Sequence, residues 1–325
     1  MNTKNLILSL LEQSRGKNIS GSFIAEQLNI SRNAVWKAIN ELKKNGHKIE
    51  SATNRGYCLC ADNDILSAQG ILPFLSQTLQ EQLAEKINVH TSLESTNKTA
   101  KELALFGAEH GTIVIADYQS AGKGRYERSF FSPPGCGIYI SFILKPTHFC
   151  LATPALTTHF AAVTVCEAIE AVSEKSPKIK WVNDVFLNNK KICGISTEAI
   201  TDFESGNIAW MVVGIGVNFT TPAAGFPENL QKIVGTVFED APPTTRNHLA
   251  GEIINRILSS EKHADAQILA KYKERLIMLG KNISVLANPP YEATALDIDD
   301  TGRLIVKTHT GEIVSLFSGE ISIRI

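Results

Sequence analysis

The sequence predicts a multidomain α+β chain in three parts: a three-helix head closed by a hairpin, a mixed α/β body and a small all-β tail. Three observations carry this prediction. The first sixty residues show helical spacing of apolar side chains and then two short strands around Thr53-Asn-Arg-Gly56. The middle alternates helices with apolar strands, and some connections are as short as Asn188-Asn189, which implies hairpins and hence an antiparallel or mixed sheet. From Gly280 onward only short strands remain, parted by turns such as Asp300-Thr-Gly302 and Thr310-Gly311. A chain of 325 residues has room for two or three domains. The expected boundaries are 1–62, 63–275 and 276–325.

In the head, Leu6, Ile7, Leu10 and Leu11 mark one helical face. Ser20 caps a second helix with Phe23, Ile24 and Leu28 turned inward. Ser31 caps a third that carries Val35, Trp36, Ile39 and Leu42 and ends at Gly46. His47–Ala52 and Tyr57–Cys60 read as the two strands of a wing, and Ala61-Asp-Asn-Asp64 as a polar hinge. In the body, strands are expected at 112–118, 138–144, 179–187, 190–198 and 209–218, and helices at 95–106, 153–174, 244–260 and 262–278. Five short strands between 283 and 325 complete the tail.

Composition narrows the function. The apolar share is 43% and the charged share 20%, as in ordinary soluble proteins. No secretory pattern opens the chain, because Glu12 and Gln13 follow the short apolar run Leu6–Leu11. Six scattered cysteines read as reduced thiols in a cytoplasm, and Cys58-Leu-Cys60 as part of a strand. Net charge is −1 but uneven: residues 1–60 hold nine Lys/Arg against four Asp/Glu, which leaves the remainder at −6. A basic module on an acidic body points to a nucleic-acid-binding head. In a helix-turn-helix the second helix of the pair lies in the major groove. Here Arg32 and Asn33 are placed to read bases, Ser31 and Lys37 to hold phosphates, and Arg55 at the wing tip to reach the backbone or minor groove. One head reads a half-site, so a dimer on a palindromic operator is expected.

Five clusters in the body point to an anionic ligand. Asp117–Arg128 packs Gly122, Gly124, Lys123, Arg125 and Arg128 directly after an apolar run, where backbone N–H groups and cations face a ligand together. Glu94-Ser-Thr-Asn97 opens a helix, whose first N–H groups are unsatisfied. Lys180-Trp-Val-Asn-Asp184 sets an amide and a carboxylate beside an indole. Lys190-Lys-Ile-Cys-Gly194 and Gly214-Ile-Gly-Val-Asn218 put a lysine and paired glycines in apolar strands. Taken singly, each also has a bland reading as a solvated turn, an N-cap, an Asx turn, an exposed hairpin lysine or strand crowding. No Walker loop is present, since Gly122-Lys123 is followed by Gly, and no Ser/His or Cys nucleophile constellation stands out.

In this order, behind such a head, the motifs resemble the bifunctional biotin–protein ligase and biotin operon repressor of bacteria. The resemblance runs from Ile19-Ser-Gly21 and Ile30–Lys37 to Gly319-Glu-Ile-Ser322 and Arg324. It implies a winged helix-turn-helix, a body like the class II aminoacyl-tRNA synthetases and an SH3-like barrel. The implied activity joins biotin to ATP as biotinyl-5′-AMP with Mg2+, then biotinylates a lysine of the biotin carboxyl carrier protein of acetyl-CoA carboxylase. The adenylate-bound homodimer would repress the biotin biosynthesis operon. By the same resemblance Ser95, Thr96, Asn97 and Gln119 hold biotin, with the ureido ring on Ser95, Thr96 and Gln119. Gly122, Lys123, Gly124, Arg125 and Arg128 fold over biotin and its adenylate. Gly194, Gly214 and Gly216 floor the pocket. Lys191 lies beside the biotin carboxylate and the α-phosphate, and is catalytic with Arg125 and Arg128. Asn183, Asp184 and Asn218, with Arg125 and Arg128, face the nucleotide.

The chain departs from the family pattern at Lys123, an arginine in the family; at Glu127, a glycine; at Val182, a proline; and at Phe130, commonly Trp. Lysine loses bidentate phosphate geometry. A side chain in place of a positive-φ glycine costs about 1 kcal/mol or more. Glu127 and Val182 therefore support a second expectation, a biotin-sensing repressor with weakened ligase activity. A lipoate-type ligase shares the body fold, but the head and Lys180-Trp-x-Asn-Asp184 argue against it.

Overall fold

The computed structural model describes residues 2–323 apart from 53–54, 126–127, 147–152, 203, 205, 260–264 and 318–320, and of Ile321–Ile323 it describes the backbone. The chain forms two compact units, one of Met1–Glu85 with Pro243–Asn255, the other of Lys86–Pro242 with Arg256–Ile325.

The first unit opens with α1 (Thr3–Gln13), α2 (Gly21–Gln27) and α3 (Arg32–Lys44). Ser20 Oγ accepts from Phe23 N at 3.1 Å and Ser31 Oγ from Ala34 N at 3.1 Å, so both expected caps form. Asn29 takes a left-handed φ of 51° to turn the chain between α2 and α3. Ile7, Leu11, Ile24, Val35, Ile39, Leu42 and Leu59 close one core. Strands β1 (Ile49–Ala52) and β2 (Gly56–Leu59) pair antiparallel as the wing. Arg55 is exposed beside the tip, while Thr53 and Asn54 lie outside the described residues.

The segment read as a hinge is pinned. Asp64 accepts from the backbone N of Arg246 at 2.6 Å and from its Nε at 2.8 Å, and Asn247 donates to the Ile65 carbonyl at 2.9 Å. These bonds gather α4 (Ala68–Ile71), α5 (Gln77–Leu83) and the helix Arg246–Ile257, α8 in chain order, into the same unit.

The second unit is built on a seven-stranded sheet of β3 (Ile87–Leu93), β4 (Thr112–Gln119), β5 (Gly137–Leu144), β6 (Lys178–Lys180), β7 (Asp184–Leu187), β8 (Lys190–Thr201) and β9 (Ile208–Asn218), in the order β3-β4-β5-β9-β8-β7-β6. Only β3 and β4 run parallel. The expected single strand 179–187 is two strands, because the chain turns at Trp181–Asn183. Asn188 and Asn189, with φ of 49° and 60°, make the tight β7–β8 hairpin turn.

Strand parity assigns the faces. Val212 and Trp210 of β9 pack on α6 (Thr96–Leu105), whereas Met211 meets Thr157 of α7 (Pro154–Val172) on the opposite face. Helix α7 is long and apolar enough to cross a membrane by composition, but thirteen of its residues are buried and it serves as a core helix. Helix α9 (Asp265–Arg275) packs beside it. The tail forms a five-stranded antiparallel sheet of β10 (Asn282–Val285), β11 (Tyr291–Ile298), β12 (Leu304–Thr308), β13 (Ile313–Leu316) and β14 (Ile321–Ile323), in the order β13-β12-β11-β10-β14.

Candidate functional site

On the α6 face of the sheet, register puts Tyr139, Ser141, Gly194, Ser196, Glu198, Gly214 and Gly216 on one side. The glycines leave that surface bare. A Cβ on Gly214 would strike the Asn97 amide, and one on Gly216 would stand 2.5 Å from the Phe130 ring. The result is a cavity of about 440 Å³ lined by Ser95–Asn97, Gln119, Lys123–Arg125, Arg128–Phe131, Lys180, Trp181, Asn183, Asp184, Lys191, the three glycines, Asn218 and apolar side chains from 226–234.

One end of the cavity is neutral. Gln119 Oε1 accepts from the backbone N of Thr96 at 2.8 Å and from its hydroxyl at 3.1 Å, and Gln119 Nε2 donates to Ser132 Oγ at 2.9 Å. Ser141 Oγ lies 2.8 Å from Thr96 Oγ1 and 2.7 Å from Asn97 Oδ1. Asn97 Nδ2 donates to Ser196 Oγ and Glu198 Oε1, both at 2.9 Å, and Glu198 pairs with Lys101 at 2.7 Å. Asn97 thus lies on the cavity wall with its amide turned to the sheet.

The other end is charged. A bulge in β8 sets Ile192 between two consecutive pairs, Phe186↔Lys191 and Val185↔Cys193. In an unbroken strand Lys191 would share a face with Cys193. The extra residue turns it to the face of Gly194 and Asp184. Lys191 Nζ then meets Asp184 Oδ1 at 2.6 Å. Arg125 Nη1 reaches Asn183 Oδ1 at 3.4 Å, and Asn183 Nδ2 donates to the Ile195 carbonyl at 2.8 Å. Trp181 is buried, and its indole N–H donates to the Gly302 carbonyl of the β11–β12 turn at 3.2 Å. Behind it the Tyr272 hydroxyl donates to the Val182 carbonyl at 2.9 Å, and His159 packs on Tyr272 with ring centroids 4.2 Å apart. Burial without a partner for either ring nitrogen pushes the His159 pKa down to about 3.

Between the two ends runs the loop after β4. Gly122 accepts from Phe130 N at 2.8 Å, and Gly124 N donates to the Arg128 carbonyl at 2.7 Å. A Cβ on Gly122 would stand 2.6 Å from the Phe130 carbonyl, so glycine is needed there for close approach. Glu127, with its expected effect on the loop, lies outside the described residues. Asn218 is bound to the Gly235 carbonyl at 3.1 Å and holds segment 226–238 against the sheet.

Sequence reasoning missed Phe130 as a lining residue, and missed Ser132, Ser141, Ser196, Glu198 and Lys101. Strand parity relative to Gly194 and Gly214 was the signal for Ser196 and Glu198. Among the described residues no three His, Cys, Asp or Glu side chains converge. In the head, Ser31, Arg32, Asn33 and Lys37 share the exposed start of α3.

Comparison with known proteins adds three segments in chain order. Residues 3–58 match an HTH domain, 89–218 the Biotin/lipoate A/B protein ligase family, and 278–324 the Biotin protein ligase C terminal domain. The Bifunctional ligase/repressor BirA of Bacillus subtilis strain 168 is 34% identical over 98% of this chain and 97% of its own. The protein of that name in Escherichia coli K12 is 26% identical over 96% and 94%. A biotin protein ligase from Aquifex aeolicus, solved in complex with biotin and ATP, superposes with a TM-score of 0.61 at 24% identity over 74% of this chain and 99% of its own, a likeness of fold. The whole-length identity and the matching order of segments place this chain in the bifunctional ligase/repressor family.

Proposed function

We propose that the chain activates biotin with ATP to biotinyl-5′-AMP, passes biotin to a lysine of a biotin carboxyl carrier protein, and in its adenylate-bound form represses biotin synthesis genes from the cytoplasm. The observation that carries this reading is Lys191, aimed by a bulge at the junction of a neutral wall and a charged one.

The neutral end suits a ureido ring, which offers two N–H donors and one carbonyl acceptor. Thr96 and Gln119 are already fixed by mutual bonds, so they need little reorganisation on binding. The Phe130 ring and the glycine floor give a flat apolar slot for the fused rings and aliphatic chain. The biotin carboxylate then reaches Lys191. An ammonium has three donors, so Lys191 can keep Asp184 and still bind the ligand anion.

In the first step a carboxylate oxygen attacks the α-phosphorus of ATP and pyrophosphate leaves. Two anions must meet, and Lys191, Arg125 and Arg128 offset the repulsion and the charge that develops on the phosphate oxygens. Asn183 and Asp184, at the charged end of the cavity, would offer oxygen ligands on the nucleotide side. One carboxylate beside an amide fits Mg2+ that arrives on ATP phosphates, which commonly takes one or two protein carboxylates. In the second step the neutral acceptor amine attacks the anhydride carbonyl and AMP departs. Adenylate binding would favour a homodimer, and two heads then span a palindromic operator.

Biotin-dependent pyrophosphate release from ATP, followed by streptavidin detection of a labelled carrier domain, tests the enzyme. Adenylate bound without carrier labelling would leave only a biotin-sensing repressor. Label in the presence of lipoate but not of biotin would overturn the substrate.

A further inference from the structure

The head carries an apolar group that operator binding has so far left unused. On α3 the residues Val35, Ala38, Ile39 and Leu42 are buried. The opposite stripe presents Arg32, Asn33, Trp36 and Lys37, all exposed, and the half-buried Asn40. Trp36 is 56% exposed, and Phe23 on α2, expected to turn inward, is instead 47% exposed. An isolated exposed apolar residue is ordinary. Trp36 differs by its position. It stands four residues after Arg32, hence directly above it on the same face. Glu41, one turn above Lys37 at the edge of the stripe, is paired with Lys4 at 2.6 Å. The Arg32 guanidinium donates to the Ser22 hydroxyl and ties the starts of α2 and α3 together. The indole is therefore carried between Arg32 and Lys37, on the part of a recognition helix that meets base edges.

We propose that Trp36 reads the 5-methyl group of an operator thymine in the major groove, an inference that rests on the operator-binding reading above. The chemistry is selective. Thymine is the one base that presents a methyl group on the major-groove edge, and apolar side chains are its partners. Arginine and asparagine match guanine and adenine there. Arg32, Asn33 and Trp36 thus give one helix a reader for each of three edges. Four residues of helix advance about 6 Å and successive base pairs rise about 3.4 Å, so the thymine falls about two base pairs from the base met by Arg32.

The test uses the full-length chain with biotin and ATP, on a duplex from its own biotin-gene promoter whose half-sites have been footprinted. Each half-site thymine is replaced in turn by deoxyuridine, which deletes the methyl group alone, and affinity is read by fluorescence anisotropy. One thymine position per half-site should cost roughly fourfold, the worth of one buried methyl group. The Trp36→Ala chain should bind the thymine and uracil duplexes equally, while Trp36→Phe keeps part of the difference. Uracil substitutions without effect at every position, alongside specific binding of the parent duplex, would overturn the proposal and leave operator binding intact. A uracil effect of the same size in Trp36→Ala would assign the methyl group to another residue. No preference for the promoter duplex over random DNA would sink the operator reading itself, and this proposal with it.

Discussion

The two ends of the cavity are built on different principles. At the neutral end Ser95, Thr96 and Asn97 are only 4–8% exposed, and the polar atoms of Thr96 and Asn97 are bonded to Gln119, Ser141, Ser196 and Glu198. At the charged end the Lys191 and Asp184 side chains stay 30% and 24% exposed and meet as one ion pair. A hydrogen-bonded network of buried uncharged side chains, with the Glu198 carboxylate only at its rear, is stiff and favours shape and donor pattern. A half-wet ion pair is easily shared with an incoming anion, because solvent screens it. The contrast assigns selection to one end and chemistry to the other, and each prediction below strikes one side.

The largest effect is expected at the charged end. Lys191→Ala should lower the rate of biotin-dependent pyrophosphate release about 10²- to 10³-fold, as when a transition-state charge partner is removed. Biotin affinity measured by calorimetry should fall far less. Equal losses in rate and affinity would show that Lys191 merely binds, and the division between the ends would fail.

Gly214→Ala strikes the neutral end. The new methyl group lands on the Asn97 side-chain amide, which is held from three sides by Ser141, Ser196 and Glu198. Overpacking of this kind costs about 2 kcal/mol. The expected result is a KM for biotin raised at least tenfold with the KM for ATP near its original value. A defect shared by both substrates would mean that the floor deforms as one piece.

The two ends also differ in how far the sequence revealed them. Ser95–Asn97, Gln119 and the 122–128 loop were recognisable because each motif is local and keeps its residue types. The helix-turn-helix was equally legible, since Ser20 and Ser31 announce their helices. Lys191 was identified through resemblance, but its aim was not readable, because it depends on an extra residue in β8 opposite β7. Strand β3 escaped notice although Ile87 and Val89 alternate, for its partner β4 lies some twenty-five residues further on. The link from Asp64 to Arg246 spans 182 residues and has no local signal. What remained hidden was long-range pairing, while caps, turns and glycine spacing were plain.

Acid should loosen the charged end before the neutral one. His159 is fully buried behind Trp181–Asp184, with its pKa down at about 3 against an ordinary 6.5. The unfolded chain therefore takes up a proton below pH 6.5 that the folded chain refuses. Stability is complete above 6.5 and falls as pH drops towards 3, by about 2 kcal/mol at pH 5. Hydrogen exchange at residues 181–184, corrected for intrinsic rate, should gain more from pH 7 to pH 5 than exchange at 95–100. His159→Leu should remove that excess. Its persistence in the variant would place the acid sensitivity elsewhere.

The smallest effect is expected behind the neutral wall. Glu198 is not among the residues that line the cavity. It accepts from Asn97 Nδ2 through Oε1 and pairs with Lys101 through Oε2. Glu198→Gln keeps an acceptor for Asn97 and loses the ion pair, whose partners are 37% and 43% exposed, so screening limits the loss to under about 1 kcal/mol. The KM for biotin should rise about threefold and kcat stay level. Glu198→Ala removes the acceptor as well and lets the amide turn, which should raise KM about tenfold through one lost, partly buried hydrogen bond to a carboxylate. A fall in kcat with either substitution would mean that the neutral network also governs the reacting carboxylate, and the two ends would then act as one.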